Sequence, residues 1–173
     1  MNYKKINRIR GLSLTLITMI MIVAAGNRNA FTADMKVFPG ALCVGQGDFN
    51  SSINYVSSGG VFNSSSISPR SIICPVVRDN PTARYEYIKV VVIDRHPSLN
   101  VACEVRANSR SGQDSNKTVE LSSSGSLTTG QVLTFAAIPD YDYGTYTINC
   151  VIPPVDPLHG GASGIASYSI SEP

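Results

Sequence analysis

The hydrophobic period is clearest in the stretch LNVACEVRAN, residues 99–108. Every second side chain from Leu99 to Ala107 is apolar or a cysteine, and the intervening residues are polar except Ala102. Successive side chains of a β-strand point to opposite faces, so this period predicts a strand with one face on a core and one in water. The stretch TYTINCVI, residues 145–152, repeats the pattern with Cys150 on its apolar face. Cys103 and Cys150 are therefore both expected to face the core.

Short β-branched and apolar runs separated by turn formers fill most of the remaining chain, which has 14 Gly and 10 Pro. The run YEYIKVVVID, residues 85–94, is apolar on both faces, which predicts a central strand covered on both sides or a strand at a subunit contact. Further candidate strands are residues 41–44, 52–56, 61–63, 71–77, 118–122, 132–138 and 165–170. Pro75 cannot donate to a ladder, so its strand should be at an edge or carry a bulge there. The pattern predicts an all-β fold, a two-sheet antiparallel β-sandwich of about 8–9 strands.

The N-terminus has the three-part plan of a secretory signal peptide. Four basic residues lie among the first ten positions, residues 12–25 are an apolar run, and small residues occupy positions 24–26. The apolar run is shorter than the roughly 20 residues that span a bilayer, so a permanent anchor is the weaker interpretation. We expect a signal-peptide helix in residues 1–26 and a single domain in residues 27–173. Secretion or delivery to a bacterial periplasm follows, with no membrane span after cleavage.

The four cysteines Cys43, Cys74, Cys103 and Cys150 all lie after this segment. An even number in an exported chain predicts two disulfides, for which three pairings are possible. Strand faces favour Cys103 with Cys150, and Cys43 with Cys74. A four-thiolate zinc site is disfavoured because zinc ligands usually come in closely spaced pairs.

Charge argues against a nucleic-acid-binding protein. The formal net charge is +2, from 14 basic and 12 acidic side chains, and four of the basic ones precede residue 11. The expected domain is thus nearly neutral, whereas nucleic-acid binders usually present a concentrated basic face. We expect no metal and no cofactor.

The strongest candidate for ligand contact is the cluster of acidic and aromatic residues Asp140-Tyr141-Asp142-Tyr143. The tyrosines could stack on sugar rings, and the two carboxylates could contribute to a calcium site. The favoured interpretation is nevertheless an ordinary loop between strands, opened by Pro139 and closed by Gly144.

The segment Asp142-Tyr143-Gly144-Thr145-Tyr146 resembles the D-x-G-x-Y run of immunoglobulin domains. In that family a cysteine follows two residues after the tyrosine, whereas here Cys150 follows four residues after Tyr146. This resemblance implies a sandwich with an inward-facing cysteine pair. The order Cys43, Gly59-Gly60-Val61-Phe62-Asn63, Cys74-Pro75-Val76-Val77-Arg78, Cys103 and Cys150 also resembles a group of small exported bacterial proteins of unknown function. That resemblance implies export and the sequential pairing of cysteines, and it implies no activity.

Two segments imitate hydrolase motifs. The stretch HGGASG, residues 159–164, resembles parts of an oxyanion loop and a nucleophile elbow, but no helix can follow it so near the end. Asp94 could orient His96 in a triad, although a solvated turn is favoured. The pair Arg78-Asp79 is interpreted as surface charge.

These observations favour an exported, non-catalytic β-sandwich that is a structural or binding module, with a glycan or an envelope protein as partner. The first alternative is a surface-assembly subunit, of pilus or adhesin type, that exchanges strands. The second is a cell-wall or glycan hydrolase, which requires two facing carboxylates.

Overall fold

The computed structural model describes residues 34–47, 52–118, 120–158 and 161–173. The predicted signal segment, residues 1–26, lies outside the described residues. Within the described ranges the chain forms two six-stranded antiparallel sheets, which confirms the sandwich. No helix in these ranges has the length and apolar character needed to cross a membrane.

Twelve strands and one short 3-10 helix, Gly40–Leu42, make up the described structure. The strands are β1 (Asp34–Pro39), β2 (Val44–Gly45), β3 (Ile53–Tyr55), β4 (Val61–Asn63), β5 (Arg70–Val76), β6 (Tyr87–Asp94), β7 (Ala102–Asn108), β8 (Ser115–Lys117), β9 (Leu121–Ser122), β10 (Leu127–Ala136), β11 (Thr145–Ile152) and β12 (Gly164–Glu172). Sheet I has the order β10-β6-β12-β4-β3, and β1 also pairs with β12. Sheet II has the order β2-β5-β11-β7-β8, and β9 also pairs with β7.

The core lies between the inner faces of the two sheets, as the alternation predicts. In β7 the side chains of Cys103, Val105 and Ala107 are buried, and their neighbours in sequence are partly exposed. In β11 the inward positions run from Tyr146 to Ile152 in steps of two. The run predicted as central is central, since β6 has β10 on one side and β12 on the other.

Both predicted disulfides are present, Cys43–Cys74 and Cys103–Cys150. Cys103 and Cys150 are directly paired residues of β7 and β11, with Cα atoms 4.1 Å apart. Cys74 lies in β5, and Cys43 immediately precedes its neighbour β2. Both bridges therefore staple neighbouring segments of sheet II.

The sequence interpretation missed some strands and misplaced the ends of others. Strands β1 and β8 lie outside all of the candidate strands that the sequence pattern suggested, and the residues of β8 are all polar. Two residues of the predicted strand 41–44 belong to the 3-10 helix and Val44 begins β2; the helical turn closes with Cys43 N–H donating to the Gly40 carbonyl at 2.9 Å. Leu99 is 48% exposed and precedes the strand that its periodicity predicted. Pro75 lies beyond the two residues that β2 pairs with β5, at an edge as predicted.

Three tyrosines fill much of the core, namely Tyr85, Tyr146 and Tyr168. The Tyr85 hydroxyl donates to the Ala136 carbonyl at 2.9 Å, and the Tyr168 hydroxyl donates to the Pro75 carbonyl at 2.7 Å. Burial raises the pKa of Tyr85 and of Tyr168 to about 12. Burial, and then the Asp140 carboxylate nearby, raises the pKa of Tyr146 as well.

These tyrosines are expected to make the fold sensitive to alkali. A phenol with a raised pKa keeps its proton in the folded chain at a pH where the unfolded chain has lost it. The contribution of these raised pKa values to the free energy of unfolding is therefore complete below about pH 10 and is lost as the pH rises through about 12. Urea unfolding at steps from pH 8 to pH 12 should show a falling free energy of unfolding above pH 10. Tyr168→Phe should make the free energy of unfolding fall less steeply with pH, whereas Tyr143→Phe, at an exposed position, should not. Equal pH dependence in the two variants would contradict the role given to the buried tyrosines.

Candidate functional site

The loop of Asp140, Tyr141, Asp142 and Tyr143 is held in place by an arginine. Arg78, whose side chain is 5% exposed, donates to the Asp140 carboxylate at 3.1 Å and to the Gly144 carbonyl at 2.6 Å. Its guanidinium also lies over the Tyr146 ring, 4.7 Å from the centroid. The interpretation of Arg78 as surface charge is thus wrong, because the residue ties the loop to the core. The Asp140 carboxylate is engaged in this structural ion pair.

The side chains of the other three loop residues do not share one site, since only Tyr141 and Asp142 line the nearby depression. Tyr141 and Asp142 line an open depression of about 600 Å³ together with Ser109, Arg110 and Ser111. Tyr143 is 61% exposed, has φ of 57°, and is not among the lining residues. One tyrosine, rather than a row, therefore faces this depression.

Asp94 and His96 have structural contacts that differ from those of a catalytic triad. The Asp94 carboxylate is fully buried and accepts from Ser123 Oγ at 2.5 Å and Ser163 Oγ at 3.2 Å. Its contact with His96 is to the backbone N–H, and the imidazole Nδ1 accepts from two backbone N–H groups of the following turn. Residues 159 and 160 of the hydrolase-like stretch lie outside the described residues.

Three carboxylates converge where β1 meets the end of β12. Ligand oxygens of Asp34, Asp79 and Glu172 lie within 4.8 Å of one another, close enough to hold a metal ion. The Lys36 ammonium contacts all three carboxylates, so this cluster already contains a cation. Burial opposes the charge of Lys36, but the hydrogen bonds to Glu172, Asp79 and Asp34 outweigh it and raise the pKa of the ammonium.

The outer face of sheet II carries a groove of about 360 Å³, which we call the polar groove. Its polar lining residues are Gln46, Ser71, Glu104, Arg106, Glu120 and Asn149. The register places Asn149 directly opposite Glu104 on β7, and Thr147 opposite Arg106. Both strands are hydrogen-bonded to a neighbouring strand on each side, and the Cys103–Cys150 disulfide joins β7 to β11. These side chains therefore project from a rigid part of the sheet.

An ion-pair network orders the polar groove. Arg106 Nε donates to a Glu104 carboxylate oxygen at 2.6 Å, and Lys117 Nζ lies 3.8 Å from the other oxygen. The Glu104 side chain is 15% exposed, whereas that of Arg106 is 42% exposed. The guanidinium is therefore partly exposed to solvent, in an orientation fixed by its contacts through Nε and Nη2 with Glu104. None of the groove-lining residues among those described is aromatic.

The alternation of β7 and β11 already placed Glu104, Arg106 and Asn149 on a solvent-facing strand surface. What the sequence did not reveal is that these two strands are neighbours and that Glu120 and Gln46 border them. The signal that could have found the groove is the polar, chemically varied outward face of two strands joined by one disulfide.

No protein-family model and no curated protein matches the chain. Among solved structures, the xylan-binding module CBM15 has a TM-score of 0.50 and 17% identity, over 82% of this chain and 97% of that one. The xylan-binding module CBM86 of Roseburia intestinalis has a TM-score of 0.49 and 14% identity, over 81% and 96%. A family two carbohydrate esterase from Cellvibrio japonicus has a TM-score of 0.47 and 6% identity, and this chain spans only 35% of it. The likeness to the first of these establishes a shared β-sandwich fold.

Proposed function

We propose that this chain is a non-catalytic carbohydrate-binding module that holds a neutral oligosaccharide in the polar groove of sheet II. The observation that carries this proposal is the ordered set of hydrogen-bonding side chains around Glu104, Arg106 and Asn149. A sandwich of similar fold is by its own description a xylan-binding module, which makes a β-1,4-linked xylose chain the first ligand to test.

The chemistry of the groove suits sugar hydroxyls. A hydroxyl is both a donor and an acceptor, and the groove offers guanidinium and amide N–H groups beside carboxylate and hydroxyl oxygens. Because the Glu104–Arg106 pair is already ordered, binding costs less side-chain entropy than it would with free side chains. Because the described lining of the groove contains no aromatic ring, we expect affinity to rest on hydrogen bonds, with a dissociation constant of about 0.1–10 mM.

Binding without hydrolysis fits the carboxylates of the groove better than catalysis does. Glycoside hydrolysis usually needs one carboxylic acid to donate a proton and a second carboxylate on the other side of the bond. Glu104 accepts a hydrogen bond from Arg106 Nε and lies close to the Lys117 ammonium, so its oxygens already act as acceptors in the ion-pair network. We therefore assign Glu104 the role of positioning Arg106 and accepting from a sugar hydroxyl.

We place this module outside the cytoplasm, in the periplasm or beyond the cell. Support comes from its two disulfides, which persist in oxidising compartments, and from the signal-peptide pattern of the sequence. A polysaccharide of the surroundings or of the envelope would be the partner there.

Removing hydrogen-bonding groups from the groove is expected to weaken binding of xylohexaose. Arg106→Ala should reduce affinity about tenfold or more, since a hydrogen bond to a charged group is worth about 1.5–3 kcal/mol. Asn149→Ala should reduce it about threefold to tenfold. Isothermal titration calorimetry with xylohexaose measures both effects, and far-ultraviolet circular dichroism checks that the variants are folded.

Matched controls separate the groove from the loop depression. Arg110→Ala removes the same charge at the depression, and Tyr141→Ala removes its aromatic ring, so neither should change the affinity. Loss of binding in Tyr141→Ala with full binding in Arg106→Ala would place the ligand at the loop and overturn the proposed site.

A further inference from the structure

A second recess lies on the opposite side of the sandwich, on the outer face of sheet I. It has a volume of about 370 Å³, within the range of ligand pockets, roughly 300–1,000 Å³. We call it the Arg95 pocket, and its walls include Asn54, Val56, Ser58, Phe62, Ile93 and Arg95. None of these residues lines the polar groove.

Two glycines give the pocket its shape. Gly164 pairs with Phe62 on one side and Ile93 on the other, and a Cβ there would lie 2.6 Å from Cδ1 of Phe62. Gly161 has φ of 133°, and a Cβ there would lie 2.5 Å from Cδ of Arg95. The aromatic ring and the arginine chain thus lie close against bare backbone, in positions that other residues at 161 and 164 would block.

The Arg95 guanidinium lacks a partner in the described part of the chain. Its Nε is buried and has no hydrogen-bond acceptor, and no ion pair with Arg95 occurs among the described residues. The adjacent Asp94 points into the core, where Ser123 and Ser163 occupy its carboxylate. A buried donor without an acceptor costs about 1–3 kcal/mol, which a ligand that supplied the acceptor would recover.

We propose that the Arg95 pocket binds a sugar ring that carries a carboxylate, a uronate residue. The planar guanidinium matches a carboxylate through two parallel hydrogen bonds. Phe62 and Ile93 offer an apolar wall to the C–H face of the ring, and the amide of Asn54 and the hydroxyl of Ser58 are available to its hydroxyls. Arg95 is the one charged residue among the described residues that line the pocket, which fits a sugar ring with a single negative charge. The proposal deepens the proposed function, because it adds an acidic-sugar site to a module that holds a neutral chain elsewhere.

The test is calorimetric titration of the folded protein with trigalacturonate, its methyl ester and sodium acetate. Trigalacturonate should bind at least about tenfold more tightly than its neutral methyl ester. Arg95→Gln should lower the affinity for trigalacturonate about tenfold or more, and Arg95→Lys should recover only part of it. Acetate should compete weakly, because it lacks the ring that Phe62 contacts.

Arg84→Gln is the matched control, since Arg84 is an exposed arginine near the other end of β6 and loses the same charge. Equal weakening by Arg84→Gln and Arg95→Gln would mean that general charge, and not the pocket, attracts the ligand, and would overturn the proposal. Equal affinity for the acid and the methyl ester would also overturn it.

The two proposals fail separately. If only the polar groove is wrong, xylohexaose does not bind at the groove while trigalacturonate still depends on Arg95. If only the Arg95 pocket is wrong, Arg106→Ala weakens xylohexaose binding and Arg95→Gln leaves trigalacturonate unaffected.

Discussion

Replacing Cys103 and Cys150 together by alanine is expected to lower the free energy of unfolding by about 4 kcal/mol. The bridge closes a loop between residues 47 positions apart, and the entropy that it removes from the unfolded chain grows with the logarithm of this length. The bridge is buried in the core beneath the polar groove, so its loss also leaves a small cavity. Domains of this size have unfolding free energies of about 5–15 kcal/mol, so the change is a large fraction of the total.

Urea denaturation measures this effect. The dependence of the unfolding free energy on urea should steepen, because the uncrosslinked unfolded chain exposes more surface. The Cys43→Ala and Cys74→Ala double variant, whose loop has a separation of 31, should lose nearly as much, since the length dependence is logarithmic. A loss of less than about 1 kcal/mol for Cys103 and Cys150 would contradict the stabilising role.

Lys36→Met is expected to destabilise the fold by about 3 kcal/mol at neutral pH, because it leaves a buried carboxylate without its cation. The Glu172 side chain is 4% exposed and contacts the Lys36 ammonium, and its carboxylate also accepts from the Asp79 backbone N–H at 3.0 Å. This cluster joins the strand β1 to the last strand β12. Removing one partner of such a pair costs more than removing both.

The combined variant Lys36→Met with Glu172→Gln should therefore regain part of the stability that Lys36→Met loses. Thermal and urea unfolding of the two single variants and the double variant give the coupling energy. Lys117→Met is the matched control, because its side chain is 65% exposed and its loss should cost less than about 1 kcal/mol. A double variant less stable than Lys36→Met would show that the ion pair is not the source of the effect.

The alternation of polar and apolar residues was sufficient to predict the sandwich. In β7 and β11 the period of two identified the buried faces, and the shared inward face of Cys103 and Cys150 identified one disulfide. The sequence analysis missed strand β1 because Lys36, which contacts an acidic cluster, interrupts its alternation of polar and apolar residues. A charged residue on an inward face is acceptable only with a partner, and that partner is 136 positions away.

The same difficulty limited the candidate site. The sequence pointed to Asp140 and Tyr143 because acidic and aromatic residues cluster there, yet Asp140 pairs with Arg78, which is 62 positions away. The polar groove arises from residues that are individually ordinary and become a site only through strand order. The Arg95 pocket depends on Gly161 and Gly164, because a side chain at either position would clash with Arg95 or Phe62. The sequence alone does not show that these residues are in contact.

The most direct test of the proposed carbohydrate binding is a titration of the isotopically labelled protein with xylohexaose, followed by amide chemical shifts in nuclear magnetic resonance spectra. The largest shifts are expected at Glu104, Arg106 and Asn149 on the outer face of sheet II. Shifts confined to residues 140–143, or no shifts at about 10 mM ligand, the weak end of the expected affinity, would contradict the account.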